Sequence, residues 1–191
     1  MTQLPPPKHV SKWKTLASEM ALDEKWFPVR KDRIELPRGK VIDDYFVWES
    51  PRIAMVVPVT PEGKFVLVRQ YRHALGEIFC QFPAGALDKG ELAEAAAIRE
   101  LQEETGYRCQ KLVFLGSLSP YATKMTGVVD VYLAQNATFD HPPEYDEQEE
   151  SETILLTPEE LVALPDTQEV FASDLLACIF LAFRHLDLPL T

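Results

Sequence analysis

The chain reads as an α/β sandwich built on a mixed sheet, with a β-rich extension at its N-terminus. Three observations predict this. Two apolar runs, Arg52 to Pro58 (RIAMVVP) and Lys64 to Tyr71 (KFVLVRQY), are rich in strand-forming residues and are joined by the turn Thr60-Pro61-Glu62-Gly63. Two longer stretches, 91–105 and 171–186, have helical composition. Short strand-like runs fill the chain around them, and strands mixed with two substantial helices favour helices packed on a shared sheet.

Taken in order, residues 1–12 are polar and Pro-rich and read as loose. WFPVR, RIELPRG and DDYFVWES, between Trp13 and Trp48, read as strands, so residues 1–50 form the extension and 51–191 the main domain. After the two apolar strands, Glu77 to Ala84 is a further strand entering a loop at Gly85. Asp88, Lys89 and Gly90 make a polar turn. Residues 91–105 lack Pro and Gly, and Gly106 sits where a left-handed C-cap belongs. Lys111 to Ser117 and Val128 to Leu133 are strands; an acidic loop covers 140–152; Thr153 to Leu156 is a strand. Pro158 opens a short helix and Phe171 to Leu186 forms a long apolar one.

Composition narrows the function. At 191 residues and 46% hydrophobic, the chain holds one domain with a sizeable core plus the extension. The net charge is −11 and no basic stretch is long enough to track a phosphate backbone, which argues against nucleic acid as a partner. Cys80, Cys109 and Cys178 are far apart and odd in number, as expected of free thiols in a reducing compartment. Met1 is followed by a polar segment rather than a secretory leader, and Leu175 to Phe183 is too short to span a bilayer. A cytoplasmic protein without a membrane partner is the expectation.

The chemistry concentrates between Gly85 and Tyr107, GALDKGELAEAAAIRELQEETGY. At about 100° per residue, Glu100, Glu103 and Glu104 share one side of the helix. Glu100 and Glu104 are one turn apart, so their carboxylates can converge. That side otherwise carries Ala93, Ala96 and Ala97, while Ile98 and Leu101 are expected to face the core. Clustered like charge destabilises a helix unless it is compensated, and a set of hard oxygen donors suits Mg²⁺ or Mn²⁺. Arg99 is placed to pair with Glu103 and hold it. The competing reading is a solvated acidic helix.

The spacing decides between them. The segment fits G-x5-E-x7-R-E-U-x-E-E-x-G-U, with Leu101 and Tyr107 at the U positions, and so resembles the signature of the Nudix hydrolases, which cleave a nucleoside diphosphate linked to another group. The resemblance implies a Nudix-type α/β/α sandwich. It implies Glu100 and Glu104 as metal ligands, Glu103 sharing metal or water, the Ala84 carbonyl as a further ligand, and Glu91 in support of the loop. Val68-Arg69-Gln70-Tyr71-Arg72 and Gln81-Phe82-Pro83-Ala84-Gly85 are similar to the ADP-ribose pyrophosphatase and nucleoside-diphosphate-sugar hydrolase branch, with Gln81 where that branch has Glu. The branch's Ser-Pro-Gly element reads Ser119-Pro120-Tyr121 here, either a substrate contact or an ordinary turn.

That branch implies a catalytic base on the loop before a late strand, here EYDEQEESET, with Glu149 the first choice and Glu147 the second. Arg72, near a strand end, and Arg52 are candidate phosphate clamps. Relatives dimerise through N-terminal strands, so a homodimer is expected. Trp26 and Phe46 are candidates for stacking on the base, or else ordinary strand packing. The expected activity is metal-dependent hydrolysis of ADP-ribose or a related nucleoside diphosphate sugar to nucleoside monophosphate and sugar phosphate. The alternatives are a dinucleotide or nucleoside triphosphate substrate, or a Nudix module that senses a nucleotide without cleaving it.

Overall fold

The computed structural model describes residues 10–143, 151–167 and 171–190. The chain forms two compact units, one from the N-terminus to Ser50 with Tyr121–Thr126, the other from the remainder.

In the first unit, β1 (Lys14–Leu22), β2 (Val29–Glu35) and β3 (Val41–Trp48) form an antiparallel sheet in that order. Asp32, buried between strands, accepts hydrogen bonds from Arg30 and from the Ser18 hydroxyl at 2.7 Å, so its charge is compensated. The 121–126 segment joins the edge of β3. The Trp48 N–H donates to the Lys124 carbonyl at 2.7 Å, the Thr126 N–H to the Trp48 carbonyl at 3.0 Å, and the Tyr45 hydroxyl to the Thr123 carbonyl at 2.5 Å. β1 is an addition to the sequence reading. Its composition, KTLASEMAL, carries no β-branched run, and its pairing with β2 decides its conformation.

The second unit contains β4 (Ile53–Val59), β5 (Phe65–Arg72), β6 (Glu77–Gln81), β7 (Ala84–Ala86), α1 (Ala93–Thr105), β8 (Tyr107–Arg108), β9 (Lys111–Leu118), β10 (Val129–Gln135), β11 (Thr138–Phe139), β12 (Ser151–Leu156), α2 (Pro158–Ala163) and α3 (Ser173–Leu186). The main sheet runs β12-β5-β4-β10-β9 and is mixed, with β4 and β10 parallel and the other neighbours antiparallel. β4 and β5 pair only at Val59 and Phe65 and then diverge. Into this fork come β6, paired to β5, and β7, paired to β4.

Helices cover both faces. Met55, Val57, Phe65 and Leu67 share one buried cluster with Leu175, Cys178, Ile179 and Phe183 of α3. Ala54 and Val56 share the other with Ala96, Ala97 and Leu101 of α1. Alternate residues of β4 therefore enter different cores, which is why IAMVVPV reads as an unbroken apolar run. Ile98 is a correction: only Leu101 of the pair enters the core, and Ile98 is 38% exposed because the small Ala96 and Ala97 already occupy the sheet-facing side. No described helix is long and apolar enough to cross a membrane.

Candidate active site

The fork brings the glycine loop beneath α1. Phe82 is anchored in the α3-side core, and the Pro83 carbonyl accepts from the Val56 N–H at 2.9 Å, so the loop is pinned to β4. The Ala84 N–H donates to Oε2 of Glu104 at 3.3 Å. A Cβ on Gly85 would overlap the carboxylate of Glu100, so only glycine lets that side chain lie against the loop. Glu100 and Glu104, one helical turn apart, thus meet the same two residues of backbone.

Arg99 organises the acids. Its Nε and Nη2 donate to the two oxygens of Glu91 at 3.0 Å each, and Nη1 donates to Glu100 at 2.6 Å and Glu103 at 2.9 Å. Nη2 also donates to the Ala86 carbonyl at 3.1 Å. A planar fork is required for this, and lysine cannot supply it. Glu91 raises the Arg99 pKa by hydrogen bonding, desolvation opposes, and Glu100 and Glu103 add to the rise. Glu91 is held below the usual carboxylate range by Arg99 and then by the Asp88 N–H, which donates at 2.9 Å. Glu91 therefore ties the polar turn to the helix.

The donor set fits a hard divalent cation. Glu100 and Glu104 supply carboxylates at one patch of backbone, and such ions bind through one or two carboxylates, leaving positions for water and substrate phosphate. Among the described residues, no three His, Cys, Asp or Glu side chains are gathered into a ready-made metal cluster. Arg99 draws Glu103 to the side, where it is half-exposed.

A second polar network shares a cleft with Glu91. Nε and Nη2 of Arg52 donate to both oxygens of Asp130 at 2.5 and 2.9 Å, and the Ser117 hydroxyl donates to Asp130 at 2.6 Å. Arg52 holds the Asp130 carboxyl below its ordinary range; burial opposes this and Ser117 assists. Arg52 and Asp130 line a cleft of about 480 Å³ with Leu87, Glu91, Leu92, Phe114 and Tyr132. Sequence reasoning passed over Asp130; the available signal was a carboxylate in the middle of the apolar run VVDVYL. Arg52 is therefore engaged with Asp130 as well as facing the cleft.

The other expected residues are placed as follows. Arg72 donates from Nε to Oε1 of Gln81 at 3.0 Å. Arg69 points to the opposite face and pairs with Glu152 at 3.4 Å. Trp26, Phe46 and Tyr121 are exposed and belong to the first unit, Trp26 beneath the Lys25 ammonium at 4.2 Å; Pro120 is exposed and belongs to the second. Glu147 and Glu149 lie outside the described residues.

Known proteins agree with this architecture. Residues 49–177 match the NUDIX domain, and residues 13–48 match the nucleoside diphosphate sugar hydrolase N-terminal domain. An ADP-ribose pyrophosphatase of Bacillus subtilis (strain 168) is 35% identical, the match covering 83% of this chain and 85% of the relative. A methanol dehydrogenase activator of Bacillus methanolicus is 30% identical over 84% of this chain and 86% of its own length. The crystal structure of an ADP compounds hydrolase superposes with a TM-score of 0.80 at 25% identity, covering 95% of this chain and 97% of that one. With the glutamate-bearing helix seated on its glycine loop and the NUDIX match spanning most of its length, the chain belongs to the Nudix family of pyrophosphate-cleaving hydrolases.

Proposed function

We propose that the chain hydrolyses the pyrophosphate bond of ADP-ribose or a related nucleoside diphosphate sugar, yielding nucleoside monophosphate and sugar phosphate, with Mg²⁺ or Mn²⁺ as cofactor. The observation that carries the reading is the pair Glu100 and Glu104 held at the Ala84–Gly85 backbone. The B. subtilis relative and the nucleoside diphosphate sugar hydrolase match support the substrate class.

In this reaction a water oxygen forms a bond to phosphorus, the bond to the bridging oxygen breaks, and the departing phosphate takes up negative charge. When bound, the divalent ion supplies positive charge against the phosphate oxygens and acidifies water. Glu100, Glu104 and the Ala84 carbonyl would hold it, with Glu103 sharing metal or water. Arg99 fixes the directions of Glu100 and Glu103. Glu149, or failing it Glu147, takes the proton of the attacking water. Arg72 and Arg52 draw in the phosphates. Trp26 and Phe46 stack on the base, and Pro120 and Tyr121 contact the group beyond the diphosphate. The N-terminal extension, residues 1–50, serves as the dimerisation element of a cytoplasmic homodimer.

The test is release of nucleoside monophosphate from ADP-ribose with Mg²⁺, beside GDP-mannose, UDP-glucose, NADH and Ap4A, with Glu104→Gln as control. Turnover of ADP-ribose that disappears in the variant is expected. Turnover of a dinucleotide alone would move the substrate. Tight binding without turnover of any compound would leave a nucleotide sensor.

A further inference from the structure

We propose that Gln81 is a positioning residue that fixes Arg72 through a neutral hydrogen bond rather than an ion pair, and so presents its guanidinium to a phosphate of the substrate. This deepens the pyrophosphatase reading and rests on it.

The sheet places both residues on the reacting face. On β5, Phe65 and Leu67 enter the α3-side core, so by alternation Val66, Val68, Gln70 and Arg72 project to the α1 side. Gln81 lies opposite Val68 in the β5–β6 register and shares its face. That is the face over which α1 carries Glu100 and Glu104. Only Phe82 and Pro83 separate Gln81 from Ala84, whose N–H meets Glu104. The residue that orients the clamp and the backbone that meets the acids thus lie on one short, pinned segment.

The amide of Gln81 is used at both ends. Oε1 accepts from Arg72 Nε at 3.0 Å, and Nε2 donates to Gln70 Oε1 at 3.4 Å. Gln81 is 9% exposed and Gln70 8%. The second contact sets which end of the amide faces Arg72, since only the oxygen can accept. Arg72 is therefore oriented through Nε, and its Nη groups stay outside this bond.

Charge separates Arg72 from its neighbours. Arg52 is paired with Asp130, Arg69 with Glu152, and Arg99 with Glu91, Glu100 and Glu103. Arg72 makes no ion pair among the described residues, although Glu77 stands opposite it in register. A glutamate at position 81 would place a carboxylate where the amide oxygen now sits and cancel the charge locally. In a molecule of net charge −11, a cation that has no ion pair among the described residues offsets repulsion of an anionic substrate.

Steady-state kinetics and calorimetric titration with ADP, on the full chain with Mg²⁺, test this. Gln81→Glu keeps the shape and the acceptor and adds the charge. It is expected to raise KM for ADP-ribose and weaken ADP binding about tenfold, with kcat within about twofold. Gln81→Met removes the amide and keeps Arg72 charged, and should weaken ADP about threefold. In an Arg72→Met background, Gln81→Glu should have no further effect. Unchanged ADP affinity in both single variants would overturn the proposal, as would a Gln81→Glu effect that persists without Arg72, or a fall in kcat alone. If Gln81→Glu fails to fold, Gln81→Met decides by the same ADP titration. If the wild type turns over no nucleotide, the pyrophosphatase reading fails, while the ADP titrations still decide the role of Gln81.

Discussion

At the scale of single residues, the site depends on close approach as much as on charge. Gly85→Ala is expected to cut turnover at least a hundredfold, because its Cβ displaces the Glu100 carboxylate. Its cost in stability should be only about 1–2 kcal/mol in a urea titration. Arg99→Lys keeps the charge but not the fork, and should lose about tenfold in kcat with partial recovery at high Mg²⁺. Asp130 gives a pH signature. Its folded pKa is depressed, so its stabilisation is present above the unfolded value near 3.9 and is lost as pH falls through the folded value. Asp130→Asn should therefore destabilise the protein by about 1–2 kcal/mol at pH 7, a figure discounted for the exposure of Arg52. The gap between variant and wild type should narrow below about pH 4. A urea midpoint difference that stayed constant from pH 7 to pH 3 would contradict this account.

At the scale of elements, the ends of the helices carry the testable energetics. Gly106 closes α1 at φ 70°, and a Cβ there would run into the His141 carbonyl. Gly106→Ala should cost about 2 kcal/mol and shift the thermal midpoint accordingly. The helix of the acid patch was legible in the sequence because glycine punctuation and charge spacing are local. The C-cap was found at the residue, and the start fell two residues later than expected, at Ala93, because Glu91 is committed to Arg99 and the Asp88 N–H. The strands β4 and β5 were legible from their apolar runs. What was not legible depends on partners distant in sequence. β1 exists through β2, the short β8–β11 ribbon spans only two residues a side, and Asp130 is explained by Arg52 and Ser117 on other strands. The contact of Gln81 belongs with these: as a letter it is a departure from the branch's Glu, and only the folded β5–β6 pair, which sets Gln81 and Arg72 on one face, makes them partners.

At the scale of the whole molecule, the two units have separate interiors. Every residue of the two buried clusters of the second unit follows Ser50. A fragment beginning at Pro51 is therefore expected to unfold cooperatively in urea, with its helix content retained by circular dichroism. Turnover should fall more than tenfold if Trp26 and Phe46 serve the substrate, and a fragment of unchanged KM would remove them from it. The first unit has the opposite dependence. The edge of β3 is completed by Tyr121–Thr126, with Thr126 bonded to Trp48 across 78 positions. During synthesis the three N-terminal strands leave the ribosome long before that edge piece exists. At about 5–20 residues per second the wait is roughly 4–16 s. Throughout it the backbone of Trp48 has no native partner on that side, and the nascent chain offers an open strand edge to any neighbouring polypeptide.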